Sequence, residues 1–223
     1  MTGEPTLATE VSLTARLKEE TAKQHRYAET RPLQRSLGKG DVTREVYARY
    51  LGQLFHVHST LEAAVRRCRD GHPGFAIVIK ERHARQPQLR DDLAALGTDV
   101  GTIEPLPATA AAVARVEETA ERQAVALLGM VYVLEGSNNG SKFLARALAG
   151  KLGLAPGRPG LSYFDPYGDE QRNVWLQFKA DMDAVEFDEA EQDAIVVAAH
   201  AMFDDIAAIS DDVHNAQVKG APA

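Results

Sequence analysis

The stretch 131-VYVLEGSNNGSKFLARAL-148 begins and ends with the periodicity of an amphipathic helix. Its centre, Gly136, Ser137, Asn138, Asn139, Gly140 and Ser141, is built from weak helix formers. Each glycine costs a helix about 1 kcal/mol relative to alanine, so something must offset the pair. Glycines four residues apart share one side of a helix and leave it without side chains, so a flat, bulky ligand can lie directly against the backbone there. A close crossing with another helix, or a plain loop, explains the same residues.

Outward from this stretch the pattern is helical almost throughout. Upstream, Leu13, Leu17, Thr21, His25 and Ala28 recur at helical spacing, which predicts one helix from Ser12 with His25 facing inward. After an LGKGD turn, Val46, Tyr50, Leu54, His58, Leu61 and Val65 form the stripe of a long helix, with Asp41 or Thr43 as its N-cap and an end near Gly71 and Pro73. FAIVIKERHAR (75–85) fits strand or helix by pattern, and we read it as helix. QLRDDLAALG is a short helix closed by Gly97, and a helix broken once runs from Ala108 into the opening stretch and ends at Gly153. A Pro/Gly-rich loop, APGRPGLSYFDPYGDEQ, precedes two last helices. The second of these buries Ile195, Ala199, Met202, Phe203, Ile206 and Ile209. The expectation is a single all-α domain over residues 12–215, flanked by flexible segments 1–11 and 216–223.

Composition narrows the functional classes. The net charge of -7 argues against a nucleic-acid partner, which needs a basic face. Cys68 is the only cysteine, which excludes an internal disulfide or a cysteine-based metal cluster and suits a reducing cytoplasm. No apolar run reaches the roughly 18 residues of a membrane span, and the first residues lack the pattern of a signal peptide.

Seven histidines invite a metal reading that spacing largely removes. A di-iron carboxylate bundle needs paired Glu-x-x-His motifs, and only Asp211 with His214 has an acid at that spacing. His56 and His58 are two apart, point in different directions on a helix, and read as packing residues. His25 combined with the glycine-opened helix describes the two walls of a haem slot: an imidazole for the iron on one side, bare main chain on the other.

The same segments resemble the haem oxygenase family, in the same order. ARLKEETAKQHRYAE (15–29) is similar to the family's first helix and GKGDVTREVYARYLGQLFHVHSTLEAAV (38–65) to its second. ERHARQPQLRDDLAALG, LEGSNNGSKF and LSYFDPYG follow, with most likeness to the bacteriophytochrome-associated bacterial branch. The resemblance implies an all-helical fold that holds haem b between a proximal N-terminal helix and a kinked distal helix. It implies His25 as axial ligand, with Ala28 and Glu29 along the proximal wall. Lys18 and Lys179 stand at positions of basic propionate partners, Phe203 lines the pocket, and Gly136 and Gly140 are the distal glycines.

Two positions depart from the family pattern. Ser141 replaces a second glycine and adds atoms where the porphyrin is expected. Ser137 replaces an aspartate that orders water, a task a hydroxyl can share with Asn138 and Asn139. The implied activity is oxidative opening of haem to biliverdin, carbon monoxide and ferrous iron, with O2 and electrons from an external donor, a ferredoxin or flavoprotein reductase. The rivals are a haem binder or sensor without turnover, and an enzyme of the thiaminase type, for which Cys68 between Arg67 and Arg69 is a poor nucleophile.

Overall fold

A computed structural model describes residues 11–220, and among them every regular element is helical. The helices are α1 (Leu13–Glu20), α2 (Ala22–Glu29), α3 (Pro32–Lys39), α4 (Arg44–Cys68), α5 (Pro73–Val78), α6 (Gln86–Ala95), α7 (Pro107–Arg122), α8 (Leu127–Leu152), α9 (Gln171–Asp183) and α10 (Glu189–Gly220). Helix α10 packs along α8, α7, α2, α3 and α4, while α4 also carries α6 and α7. The six α4 stripe residues are all buried, and Thr43 rather than Asp41 caps the helix through its side chain. On α10, Ile195, Ala199, Met202 and Ile209 are in the core, whereas Phe203 and Ile206 are only partly buried because they border a cleft.

The boundaries differ from the sequence expectations in four places. The predicted first helix is two, divided at Thr21, whose hydroxyl bonds back to the Leu17 carbonyl at 2.6 Å and competes with the backbone ladder. Helix α3 was not anticipated; Pro32 starts it and Gly40, at φ 67°, ends it where a Cβ would collide with the Ala147 carbonyl. The 75–85 segment is helical only to Val78. Ile79 and Lys80 are extended, and a single 3-10 turn follows. Helix α10 continues to Gly220, through much of the segment read as a tail, while residues 1–10 and 221–223 lie outside the described residues.

The opening stretch is not a loop. Helix α8 runs without interruption through Gly136–Ser141 and ends at Gly153 in the left-handed conformation. The single break predicted upstream falls at Gln123, between α7 and α8.

Candidate functional site

A cleft of about 570 Å³ opens between α1 and α2 on one side and α8 on the other, floored by α4 and α10. This is the volume of a small-molecule site rather than of a packing defect. Helix α2 supplies His25, Ala28 and Glu29, and α1 supplies Lys18. The placement of α1 follows from its N-terminus, where Thr14 donates from its backbone N–H and its hydroxyl to the Asp183 carboxylate at 2.9 and 2.7 Å. His25 is 53% exposed in its side chain, so the inward-facing reading needs correction. Its ring borders the cleft rather than the core, edge-on to Phe203 at 5.4 Å between centroids, and its Nε2 lies 3.5 Å from Glu29 Oε1.

The opposite wall comes from one side of α8. Gly136, Ser137, Gly140 and Ser141 border the cleft. A Cβ at Gly140 would meet nothing within 4 Å, so this glycine is not required by a neighbouring helix. At Gly136 a Cβ would come within 3.2 Å of Trp175, a cleft residue on α9. The close crossing sits two turns earlier, where a Cβ on Gly129 would lie 1.9 Å from the Ile195 carbonyl oxygen of α10. Ser137 Oγ donates to the Leu134 carbonyl at 2.7 Å, keeping its lone pairs as acceptors. Ser141 is buried, its hydroxyl shared between the Phe164 and Asn138 carbonyls at 2.7 and 3.0 Å. That bond ties the departure from glycine to the 160–165 loop.

Helical phase turns Asn138 and Asn139 away from the cleft. Asn138 is buried and donates to Glu135 at 3.3 Å, while Asn139 is exposed and bonds to the Gly136 carbonyl at 2.9 Å. Lys179 also lies outside the cleft walls, its ammonium 5.7 Å from the centre of the Trp175 ring. Cys68 is half-buried at the end of α4 and is not a cleft residue. Among the described residues no group of three metal-ligating side chains comes together.

Several cleft residues escaped the sequence reading. Arg26 adds a second cation beside Lys18, and Tyr50, Tyr163, Phe164 and Trp175 supply aromatic walls. Tyr163 and Phe164 belong to the Pro/Gly-rich loop, which is held by one buried carboxylate. Asp92 accepts from the Gly160, Ser162 and Tyr163 amides at 2.7 to 3.0 Å and from the Ser162 hydroxyl at 2.6 Å. Burial raises the Asp92 pKa, partly offset by these bonds. An aspartate in RDDLAAL gives no local sign of a partner some 70 residues away. The Tyr163 hydroxyl bonds to His58 Nε2 at 3.1 Å; burial pushes the phenol pKa well above its ordinary value, so it stays protonated.

The family model described as Heme oxygenase matches residues 11–211. A curated relative, "Heme oxygenase" from Xanthomonas campestris pv. campestris, is 29% identical over 77% of this chain and 92% of its own. "Heme oxygenase 1" from Pongo abelii is 30% identical over 68% of this chain and 54% of its own. Among solved structures, heme oxygenase-2 from Synechocystis sp. PCC 6803, in complex with heme and NO, superposes with a TM-score of 0.85 at 25% identity, over 92% of this chain and 86% of its own. With its helical order, its cleft and a match spanning nearly every described residue, this chain belongs to the haem oxygenase family.

Proposed function

We propose that the chain binds haem in the α2/α8 cleft and opens it oxidatively to biliverdin, carbon monoxide and ferrous iron. The observation that carries the proposal is the pairing of walls: a half-exposed His25 imidazole and an uncovered Gly140 backbone border the same cavity. An imidazole ligand on one side and close main chain on the other suit a thin, planar, iron-bearing molecule. Haem, when bound, supplies both the iron that activates O2 and the carbon ring that is oxidised.

The protein's own work is positioning. His25 is kept in orientation by the edge of Phe203, with Glu29 within reach of Nε2. Lys18 and Arg26 at the cleft give cationic partners for propionate carboxylates and so fix the in-plane rotation of the ring. On the α8 wall the polar side chains that border the cleft all carry hydroxyls, those of Tyr132, Ser137 and Ser141, and no carboxylate stands at position 137. Ser137 Oγ, with its own proton donated to the Leu134 carbonyl, keeps its lone pairs as acceptors for a water beside the bound haem. Electrons come from a ferredoxin or flavoprotein reductase in the reducing cytoplasm that a single free cysteine suits. No helix among the described residues is long and apolar enough to cross a membrane.

The test is aerobic turnover of hemin with an added reductant, followed by product chromatography. Loss of the Soret band with appearance of a biliverdin isomer is the expected result. A stable ferric or oxy complex would convert the protein to a haem binder, and no spectral change on titration would remove haem altogether. His25→Ala is expected to keep the fold and lose the imidazole-ligated spectrum and turnover, both restored by added imidazole. An unchanged spectrum in that variant would take His25 out of the site.

A further inference from the structure

Haem b is nearly symmetric about one in-plane axis. Turning it over about that axis leaves the propionates in place, interchanges methyl and vinyl groups along the edge away from them, and interchanges a pair of meso carbons. Lys18 and Arg26, on α1 and α2, cannot tell these placements apart, because either one presents the same carboxylates to the same cations. A contact that reads the methyl and vinyl edge can. It discriminates only if it is held rigidly, since a wall that yields accepts both shapes.

The segment 160–165 is not helical, yet it is held from several sides, and its Tyr163 and Phe164 rings border the cleft. The Asp92 carboxylate on α6 accepts from the Gly160, Ser162 and Tyr163 amides. From α4 the Tyr47 hydroxyl donates to the Gly160 carbonyl at 2.9 Å, and its ring stacks on Phe164 with 6.0 Å between centroids. On α8 the tie is Ser141, a buried residue that itself borders the cleft. Its hydroxyl donates to the Phe164 carbonyl at 2.7 Å, closer than the 3.0 Å to the Asn138 carbonyl of its own helix. Glycine or alanine at this position would leave the Phe164 carbonyl without that donor, and the aromatic edge less firmly joined to the α8 wall.

We propose, on the reading of the cleft as a haem site, that Ser141 is a positioning residue: by tying the Phe164 backbone to α8 it fixes the aromatic edge of the cleft and selects one of the two placements of the ring. It thereby decides which of the interchangeable meso carbons occupies a given place in the cleft.

The test compares the full chain with Ser141→Ala, Ser141→Gly and Ser141→Thr. In the apoprotein, amide hydrogen exchange at residues 160–165 should quicken by about fivefold or more in the Ala and Gly variants while the α4 amides keep the parent rate, and the Thr variant, which retains the hydroxyl, should exchange as the parent does. In the ferric cyanide complexes with hemin, the haem methyl resonances report the two placements without turnover. The parent should show one dominant set. The Ala and Gly variants should move the ratio of sets toward equality by about fivefold or more, and Thr should restore it. A serine that served stability alone would lower the urea midpoint and leave that ratio unchanged. Unaltered exchange at 160–165, a parent that holds both placements equally, or a parent-like ratio in hemin-loaded Ser141→Ala would each overturn the proposal while the haem site stood. A parent that took up no hemin would instead overturn the haem site, and this role of Ser141 with it.

Discussion

Gly129 and Gly140 lie on one uninterrupted helix in opposite surroundings. At Gly129 the crossing with α10 is so close that a Cβ would sit 1.9 Å from a backbone oxygen; at Gly140 a Cβ would meet nothing within 4 Å. The first glycine serves packing between helices, where backbone approach is the gain. The second gives no packing return within the chain, so nothing in the fold offsets its helix-propensity cost of about 1 kcal/mol, and on the proposed function a ligand lying against the bare backbone would be the reason for it. Glycine in a helix thus carries no single meaning, and its neighbours decide which applies.

The comparison breaks most readily at Gly129. Gly129→Ala forces the Ile195 carbonyl or the whole of α10 to move, because the obstacle is backbone and not a flexible side chain. We expect a loss of roughly 3 kcal/mol or more, read as a lower urea midpoint at unchanged slope. A variant as stable as the parent would show that α8 and α10 slide past each other freely, and would remove the contrast between the two glycines.

The polar flank of α8 sets a second, smaller effect. His58 and His83 are buried and beside Arg85, and burial lowers their pKa values to about 3 and about 4. The unfolded chain takes up these protons near pH 6.5, whereas the native state refuses them until much lower pH, so stability is complete above 6.5 and falls as pH drops toward the folded values. Between pH 7 and pH 5 each histidine should cost the native state about 2 kcal/mol. Urea unfolding at the two pH values checks this, with His58→Gln and His83→Gln each expected to flatten the dependence. A parent and variants with parallel pH profiles would mean that neither ring is held neutral by its surroundings.

Fold class and the main helices were legible in the sequence because amphipathic spacing is local: the α4 stripe read correctly residue by residue, and on α10 Ile195, Ala199, Met202 and Ile209 did, while Phe203 and Ile206 border the cleft instead of the core. The break at Thr21 was not, since a hydroxyl back-bond competes with the ladder without disturbing the apolar spacing. Within the cleft, residues named from local motifs, His25, Gly136 and Gly140, fall on its walls. Asn138 and Asn139 fall elsewhere, because adjacency in sequence rotates a helix by about 100° per residue. Asp92, Tyr163 and Arg85 were invisible for a different reason. Their roles depend on partners 50 or more residues distant, the Glu135 carboxylate and the 160–163 amides, that no periodicity links.

The smallest effect is also the one that distinguishes the two glycines best. In the protein without haem, Gly140→Ala adds a methyl group into open space on a well-formed helix, so it should stabilise the fold by about 0.5–1 kcal/mol. The same methyl group stands where a planar ligand is expected to approach the backbone, so hemin affinity should fall, by about tenfold or more for the bulkier Gly140→Leu. Stabilisation and weakened binding from one substitution is a combination that neither packing nor propensity produces alone. If both Gly140 variants bound hemin as the parent does, the cleft would not hold its ligand against this part of α8. The cost of the second glycine would then require another cause.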